Sequence, residues 1–436
     1  MRGSTPTLEV PTIMSEPITA VMLGAGGRGM YAYGPYALEH PDEIRIVAIA
    51  EPDEERRARF SQAHNIPPER QYRTWQEALG VGQLARAVIN CTQDKLHFDS
   101  TMAALGAGYD VLLEKPIAPT KAECVKLVQT AESLGRVMQI CHVLRFTAFF
   151  ATLYDIIHSG RLGRIMTVDH RENVSYWHMS HSFVRGNWRN EGQSSPMILA
   201  KCCHDLDILA WLIGSPITSL ASLGGLTHYR AESMPPGAPI RCTDGCPVEA
   251  ECPWYAPRLY GAMEGIAPRA EWILVALNGG ETPQSRWRKL LTSPYGRCVY
   301  QCDNDVVDHQ VISMQFANDV TVSFTMHGHS DTEGRTMRWD GTKATLYGDF
   351  SDGRPHEFRI HDHGTNNIEV IQPQAGLSGH GGGDEGLMNA FVRTLRGEEV
   401  PHQTSARASL ESHLMAFAAE DSRHMRQMVD MAAFRA

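Results

Sequence analysis

A two-domain α/β chain is predicted, with a doubly wound parallel sheet first and an α+β domain built on a large, mostly antiparallel open sheet second. Three observations predict it. From Ile18 to about residue 145, short continuously apolar runs alternate with helical stretches, the pattern of strands buried on both faces. Beyond residue 146 the texture changes to alternating segments, Ile165 to His170, Val307 to Phe316 and Val320 to Met326, which suit a sheet covered on one face. The length, 436 residues with 42% hydrophobic content, exceeds one core and supplies two. The division expected is a leader at 1–17, a first domain at 18–145 and a second at 146–436. The second carries a cysteine-rich insertion at about residues 225–305 and two closing helices.

Taken in order, Met1 to Pro17 has neither helical nor strand period and reads as a disordered leader, with Met14 a candidate start. The run Ile18 to Leu23 then enters the loop Gly24-Ala25-Gly26-Gly27-Arg28-Gly29. Glycines at that strand-to-helix turn let backbone N–H groups approach a pyrophosphate, the fingerprint of a Rossmann dinucleotide site. A second run, Ile44 to Ala50, ends in Glu51, at the separation that binds a ribose 2′-hydroxyl. Glu51 would repel a 2′-phosphate, so NAD is expected over NADP. Arg56 and Arg57 follow and are the alternative receivers of that phosphate, although charge clusters after a strand are usually solvated surface.

Ala87 to Cys91 is the next strand, Ser100 to Gly108 a glycine-closed helix, and Val111 to Leu113 the strand that delivers Glu114-Lys115-Pro116. Thr120 to Leu134 is a helix with Cys124, Leu127, Val128 and Ala131 on one face, followed by the strand Val137 to Cys141. Ligands bind beyond the carboxyl ends of such strands, which places Thr92, His97, Lys115 and His142 on one rim. Near the C-terminus, Asp384 to Arg396 follows a triple glycine with Asp384 as N-cap candidate, and Ser405 to Asp421 carries Leu410, Leu414 and Phe417 on one stripe.

Composition excludes two partner classes. With 40 basic against 50 acidic residues the net charge is −10, so no extended surface follows a phosphate backbone and nucleic acid is not expected. No apolar run approaches the roughly 18 residues of a membrane span, and the expected compartment is the cytoplasm.

Beyond the glycine loop, the chain holds Cys91-Thr92 with His97 downstream, Ala104-Leu105-Gly106-Ala107-Gly108 and Glu114-Lys115-Pro116. It continues with Arg145-Phe146, Gly160-Arg161-Leu162-Gly163, Trp188-Arg189 and His204-Asp205-Leu206-Asp207. As a set these resemble the Gfo/Idh/MocA oxidoreductases, which act mainly on sugars and related polyols. The resemblance runs from Ile18 to the C-terminal helices. It implies an NAD-binding Rossmann domain with Thr92, His97, Glu114 and Lys115 against the cofactor, and a C-terminal open sheet lined by substrate. It also implies a homo-oligomer, dimer or tetramer, built through that sheet. Two departures stand out: the aspartate common four positions before the histidine is Ala200, and the proline after Cys91-Thr92 is Gln93.

Oxidising a secondary alcohol needs a base for the hydroxyl proton and a face-on approach of the carbinol hydrogen to a nicotinamide. His204 is the best base, since a nearby cation keeps an imidazole neutral. Lys115 is then the donor that stabilises the developing alkoxide, and is itself the alternative base. Each has a structural reading too, His204 as a helix cap and Lys115 as a solvated lysine. Around them Tyr176, Trp177, His178, His181, Arg185, Trp188 and Arg189 form the aromatic and polar mixture that binds sugars, though any single one is as readily core or sheet edge. Lys201 lies in an otherwise buried segment, and with Arg145 and Arg189 it is a candidate site for an anionic substrate.

Of ten cysteines, Cys91, Cys124, Cys141, Cys202 and Cys203 read as buried thiols. Cys242, Cys246 and Cys252 share one loop and Cys298 and Cys302 close another. A structural zinc held by Cys242, Cys246, Cys252 and Cys302, with Cys298 as a further candidate, would staple an insertion too irregular to carry a core. An iron–sulfur cluster is the second reading, since two of these cysteines precede proline, and free or disulfide-bonded thiols the third.

Three function classes follow. The first is an NAD-dependent sugar dehydrogenase acting at a ring secondary alcohol. The second is a glycoside hydrolase with tightly held NAD, in which transient ring oxidation acidifies the neighbouring C–H for elimination and hydration, and His97, His178 and His181 would suit its extra proton transfers. The third, a non-catalytic sensor, is disfavoured by the intact Lys115 and His204.

Overall fold

A computed structural model describes residues 16–278, 280–374 and 379–436; the expected leader lies almost wholly outside them. The first domain is a six-stranded parallel sheet, from β1 (Ile18–Leu23), β2 (Ile44–Ala50), β3 (Gln71–Tyr72), β4 (Ala87–Asn90), β5 (Asp110–Leu113) and β6 (Met138–Ile140). Its order is β3-β2-β1-β4-β5-β6, so the direction of winding reverses between β1 and β4. In such sheets a reversal of this kind sets a ligand crevice beyond the carboxyl ends of the two strands. The central strands are buried along their whole length, which is why they read as unbroken apolar runs.

The second domain is a nine-stranded sheet in the order β14-β13-β12-β11-β7-β10-β9-β8-β15. Its strands are β7 (Ile165–Ser175), β8 (Ile217–Gly225), β9 (His309–Phe316), β10 (Thr321–Ser330), β11 (Gly334–Gly341), β12 (Ala344–Ser351), β13 (Glu357–Asp362), β14 (Ile368–Ile371) and β15 (Val429–Asp430). Only the β7–β10 pair is parallel. Strict alternation of buried and exposed residues in β9 and β10 marks one covered face. The helices Cys203–Ile213 and Ala406–Met425 pack together over that side.

Two features differ from the expected division. The helix Gly383–Leu395 comes late in the chain, yet it sends Leu387, Met388, Phe391, Val392 and Leu395 into the apolar cluster of Ile18, Met22, Ile44 and Ala87. It therefore completes the core of the first domain. Its N-cap is Gly382 rather than Asp384, whose carboxylate is turned instead to Arg28. The insertion between β8 and β9 also carries a core of its own, built from Tyr255, Leu259, Tyr260, Ile273, Leu277, Leu290 and Tyr295, where the short helix Ala256–Leu259, flanked by two of these tyrosines, packs on Pro283–Thr292.

Candidate active site

Each parallel strand ends in a residue of the crevice. At the end of β1, Gly24 takes φ +90°, and a Cβ there would sit 2.6 Å from the Cys91 carbonyl oxygen, so only glycine fits. Gly29 is equally obligatory, since its Cβ would collide with the Gly24 carbonyl oxygen. Gly26 and Gly27 face open space instead, where a helical turn begins, and the first amide groups of such a turn have no partner within it. That is a cradle for a pyrophosphate. Beyond β2 the buried Glu51 accepts from Ala25 N (2.7 Å) and Asp53 N (3.0 Å), which aims its carboxylate at the loop and leaves lone pairs for ribose hydroxyls. These residues fit a dinucleotide. Arg56 and Arg57 are occupied elsewhere, Arg56 donating to Asn278 Oδ1 (2.9 Å) and Arg57 to the Glu51 carbonyl (2.6 Å).

Arg28 leaves the loop to form a buried-sided network. It donates to Glu114 Oε1 (2.6 Å), Asp384 Oδ1 (2.6 Å) and the Tyr33 hydroxyl (2.6 Å), and Tyr33 in turn donates to Glu114 (2.5 Å). Glu114 then accepts from Lys115 N at 3.0 Å, so the network sets the turn that presents the lysine. Beyond β4, Thr92 donates to Asn90 Oδ1 (2.8 Å), and the buried His97 places Nδ1 2.6 Å from the Pro116 carbonyl and Nε2 3.0 Å from that of Thr92. His97 thus ties the two rim loops together and has no ring nitrogen left for a reacting group.

Lys115 and His204 come together across the domain boundary. Lys115 Nζ donates to the Ala200 carbonyl at 2.7 Å, a main-chain acceptor that does not depend on the side chain at this position. His204 stands in the first turn of Cys203–Ile213 with Nδ1 buried and without a partner among the described residues, which leaves Nε2 as the nitrogen a substrate can reach. Burial, then the Lys115 charge, then His142, hold its pKa well below the usual imidazole value. It is a neutral acceptor. His142 lies edge-on to it with ring centroids 5.5 Å apart, and burial, assisted by Arg145 and Lys115 against Asp207, lowers its pKa to about 4.

Beside this pair runs a buried ion chain. His178 Nδ1 lies 2.8 Å from Glu333 Oε1, Lys201 Nζ lies 3.0 Å from the same oxygen and 3.3 Å from Glu172, and Arg335 joins Glu172 (2.5 Å) to Asp205 (2.8 Å). His170 closes the chain on Asp205 at 2.9 Å. Three carboxylates share two fixed cations here. Burial pushes the Glu172 carboxyl up against the pull of Arg335 and Lys201, whereas for Glu333 the interaction with His178, the Lys201 charge and the hydrogen bond from Ser175 N overcome burial and hold it well below the usual carboxylate range. Burial also lowers the pKa of His178, with Lys201 and Lys115 acting against Glu333.

The other residues singled out from the sequence divide. His181 stacks on Tyr295 and places Nδ1 2.8 Å from the Tyr260 hydroxyl, and burial lowers its pKa to about 3. Tyr176 is half-buried under the Arg269 guanidinium. Trp188 Nε1 donates to Asp94 (3.2 Å), which also accepts from the hydroxyls of Ser194 and Ser195 (2.9 Å each) and so fixes the Thr92 loop to the second domain. The three cations expected at an anionic substrate do not converge: Lys201 is held by Glu172 and Glu333, Arg145 by Asp207, and Arg189 by Asp303. All ten cysteines are free of disulfides; Cys302 Sγ turns to the Cys298 carbonyl (3.3 Å).

Sequence and structure comparisons bear on the two domains. Residues 18–142 match the oxidoreductase family's NAD-binding Rossmann fold and residues 155–431 its C-terminal alpha/beta domain. The chain belongs to the Gfo/Idh/MocA oxidoreductase family. An inositol 2-dehydrogenase from Leifsonia xyli is 29% identical over 181 residues, 40% of this chain and 48% of that protein. Another from Streptomyces avermitilis is 26% identical over 217 residues, 48% and 57% of the two chains. The chain spans about half the length of these curated relatives. Levoglucosan dehydrogenase in complex with NADH and levoglucosan aligns with a TM-score of 0.70 at 16% identity, covering 95% of this chain and 100% of that one. Aldose-aldose oxidoreductase from Caulobacter crescentus complexed with glycerol aligns at 0.67 and 15%, covering 95% and 100%. At these identities the structures show the fold alone. Among the described residues no helix is long and apolar enough to cross a membrane.

The ion chain went unread in the sequence, although a signal existed. Val168, His170, Glu172 and Val174 occupy buried positions of β7, and a glutamate in an inward register is rare unless paired. Its partner, Arg335, stands directly opposite on β11.

Proposed function

We propose that the protein is an NAD-dependent oxidoreductase that moves hydride at a ring secondary alcohol of a sugar or sugar derivative. The observation that carries this reading is Lys115 beside a neutral His204 at the mouth of a dinucleotide crevice. Bound NAD supplies the hydride acceptor. His204 Nε2 takes the hydroxyl proton, and Lys115 Nζ, already aimed along the rim by the Ala200 carbonyl, donates to the oxygen as charge develops on it. Arg28, Tyr33 and Glu114 hold the lysine turn, and His97 keeps the Thr92 loop against it. The exposed Leu223 and Val311, opposite each other on β8 and β9, support a second copy of the chain seated on the outer face of the large sheet.

NAD is expected to bind much more tightly than NADP, because Glu51 meets a 2′-phosphate with like charge while Arg56 and Arg57 are engaged. Calorimetric titration of both cofactors checks this; equal or reversed affinities would show that an arginine governs the ribose.

A second reading, redox-neutral glycoside cleavage, is favoured by one observation. The His178–Glu333 pair supplies another acid–base group next to the first, as elimination beside an oxidised carbon requires. The two readings differ in what accumulates. For a dehydrogenase, NADH rises linearly on a free sugar and added NAD sustains the rate. Aglycone release from a chromogenic glycoside, with solvent deuterium entering the carbon beside the oxidised centre and no stoichiometric NADH, would replace the first reading by the second.

A further inference from the structure

The insertion brings four cysteines around one small enclosed cavity. Two segments meet at the bridge between Arg241 and Arg297, where Cys242 N donates to the Gly296 carbonyl (2.9 Å) and Cys298 N to that of Ile240 (2.8 Å). This sets Cys242 and Cys298 side by side from positions distant in the chain. The turns that follow Cys242 carry Cys246 and Cys252 onto the same cavity, which Arg185 and Trp254 close. Cys302 is not part of its lining.

Arg185 is the second observation. It is wholly buried, donating through Nε to the Arg297 carbonyl (2.7 Å) and through Nη2 to the Trp254 carbonyl (2.7 Å), with Cys242 Sγ at 3.8 Å. Among the described residues its Nη1 has no acceptor, and its hydrogen-bond partners are two carbonyls and one sulfur, none of them a carboxylate. A buried guanidinium whose hydrogen-bond partners are carbonyls and a sulfur calls for a counter-anion, and neutral thiols do not provide one.

We propose that Cys242, Cys246, Cys252 and Cys298 bind an iron–sulfur cluster as thiolates, with Arg185 as its buried counter-charge. A single zinc ion would draw its sulfurs to about 3.8 Å from one another, given a Zn–S bond of about 2.3 Å and tetrahedral geometry. Among the described residues no three of these sulfurs lie within 4.8 Å of one another. They are set wider than a single ion needs, and a cluster held by four cysteine thiolates spans more than one ion does. Assembly takes iron and sulfide, and each cysteine gives up its thiol proton on binding. Because Arg185 ends the segment that begins at Tyr176, the cluster also anchors His178, which meets Glu333 in the ion chain.

The test is elemental. Full-length protein purified without oxygen is expected to contain iron and acid-labile sulfide in equal amounts, with a broad visible absorption that bleaches on reduction by dithionite. Cys252→Ser is expected to lose most of the iron and sulfide, whereas Cys302→Ser keeps both; NAD binding, measured in parallel, verifies that each variant is folded. Stoichiometric zinc without sulfide overturns the proposal. So does wild-type protein that holds neither metal after incubation with iron and sulfide, or a Cys302→Ser variant as depleted as Cys252→Ser.

Discussion

Replacing Lys115 by alanine is expected to lower turnover at least about 100-fold while NAD still binds, and His204→Ala is expected to do the same, as removal of an oxyanion donor or a general base does. The two variants should differ in their pH dependence. After burial, the Lys115 charge is the largest influence holding His204 below the usual imidazole pKa. In the wild type His204 therefore stays neutral through mildly acidic pH, and no loss of rate near pH 6.5 should come from its protonation. Lys115→Ala removes that charge, so the His204 pKa rises and the residual rate should begin to fall at a higher pH than in the wild type. Steady-state rates across pH, with NAD affinity measured for each variant, check both expectations. Near-normal turnover of His204→Ala would move the base to Lys115 or His178.

The parallel sheet and the crevice were legible because their signals are local. Gly24 to Gly29, Glu51, Thr92 and Glu114-Lys115 each follow directly on an apolar strand, and the rule that ligands meet carboxyl ends then gathers them. What failed to show was pairing at long range. Arg28 reads as part of a phosphate loop, yet its partners Glu114 and Asp384 are 86 and 356 residues away. The helix Gly383–Leu395 shows its apolar stripe in the sequence but not which sheet the stripe covers, because the chain crosses the second domain before returning to the first. The same holds for the cations around the site. Lys201, Arg145 and Arg189 look like a converging anion receptor until their carboxylate partners, supplied by other strands and helices, are placed.

Of those three, Arg145 gives the largest expected change in stability. Its guanidinium makes a two-pronged contact with Asp207, Nε to Oδ2 at 2.7 Å and Nη2 to Oδ1 at 2.6 Å, and packs 5.5 Å from the centre of the Trp211 ring. Asp207 is 1% exposed, so Arg145→Ala strands a carboxylate where water cannot reach it. The cost of breaking such a pair is about 3–5 kcal/mol, because the abandoned charge loses its guanidinium partner and keeps only His142, 4.0 Å away, beside it. Denaturant unfolding of Arg145→Ala should show that loss. Asp207→Leu combined with Arg145→Met should recover much of it, since burying two apolar side chains in place of an ion pair is often neutral. Were Arg145 instead a receptor for an acidic sugar, its removal would leave stability within about 1 kcal/mol, typical of a change away from such buried features, and raise KM for charged substrates alone. The two outcomes cannot both occur. The bidentate geometry, sealed between the turn after β6 and the helix Cys203–Ile213, favours the first: this pair joins the cofactor domain to the helix that carries His204, and holds the base at the crevice.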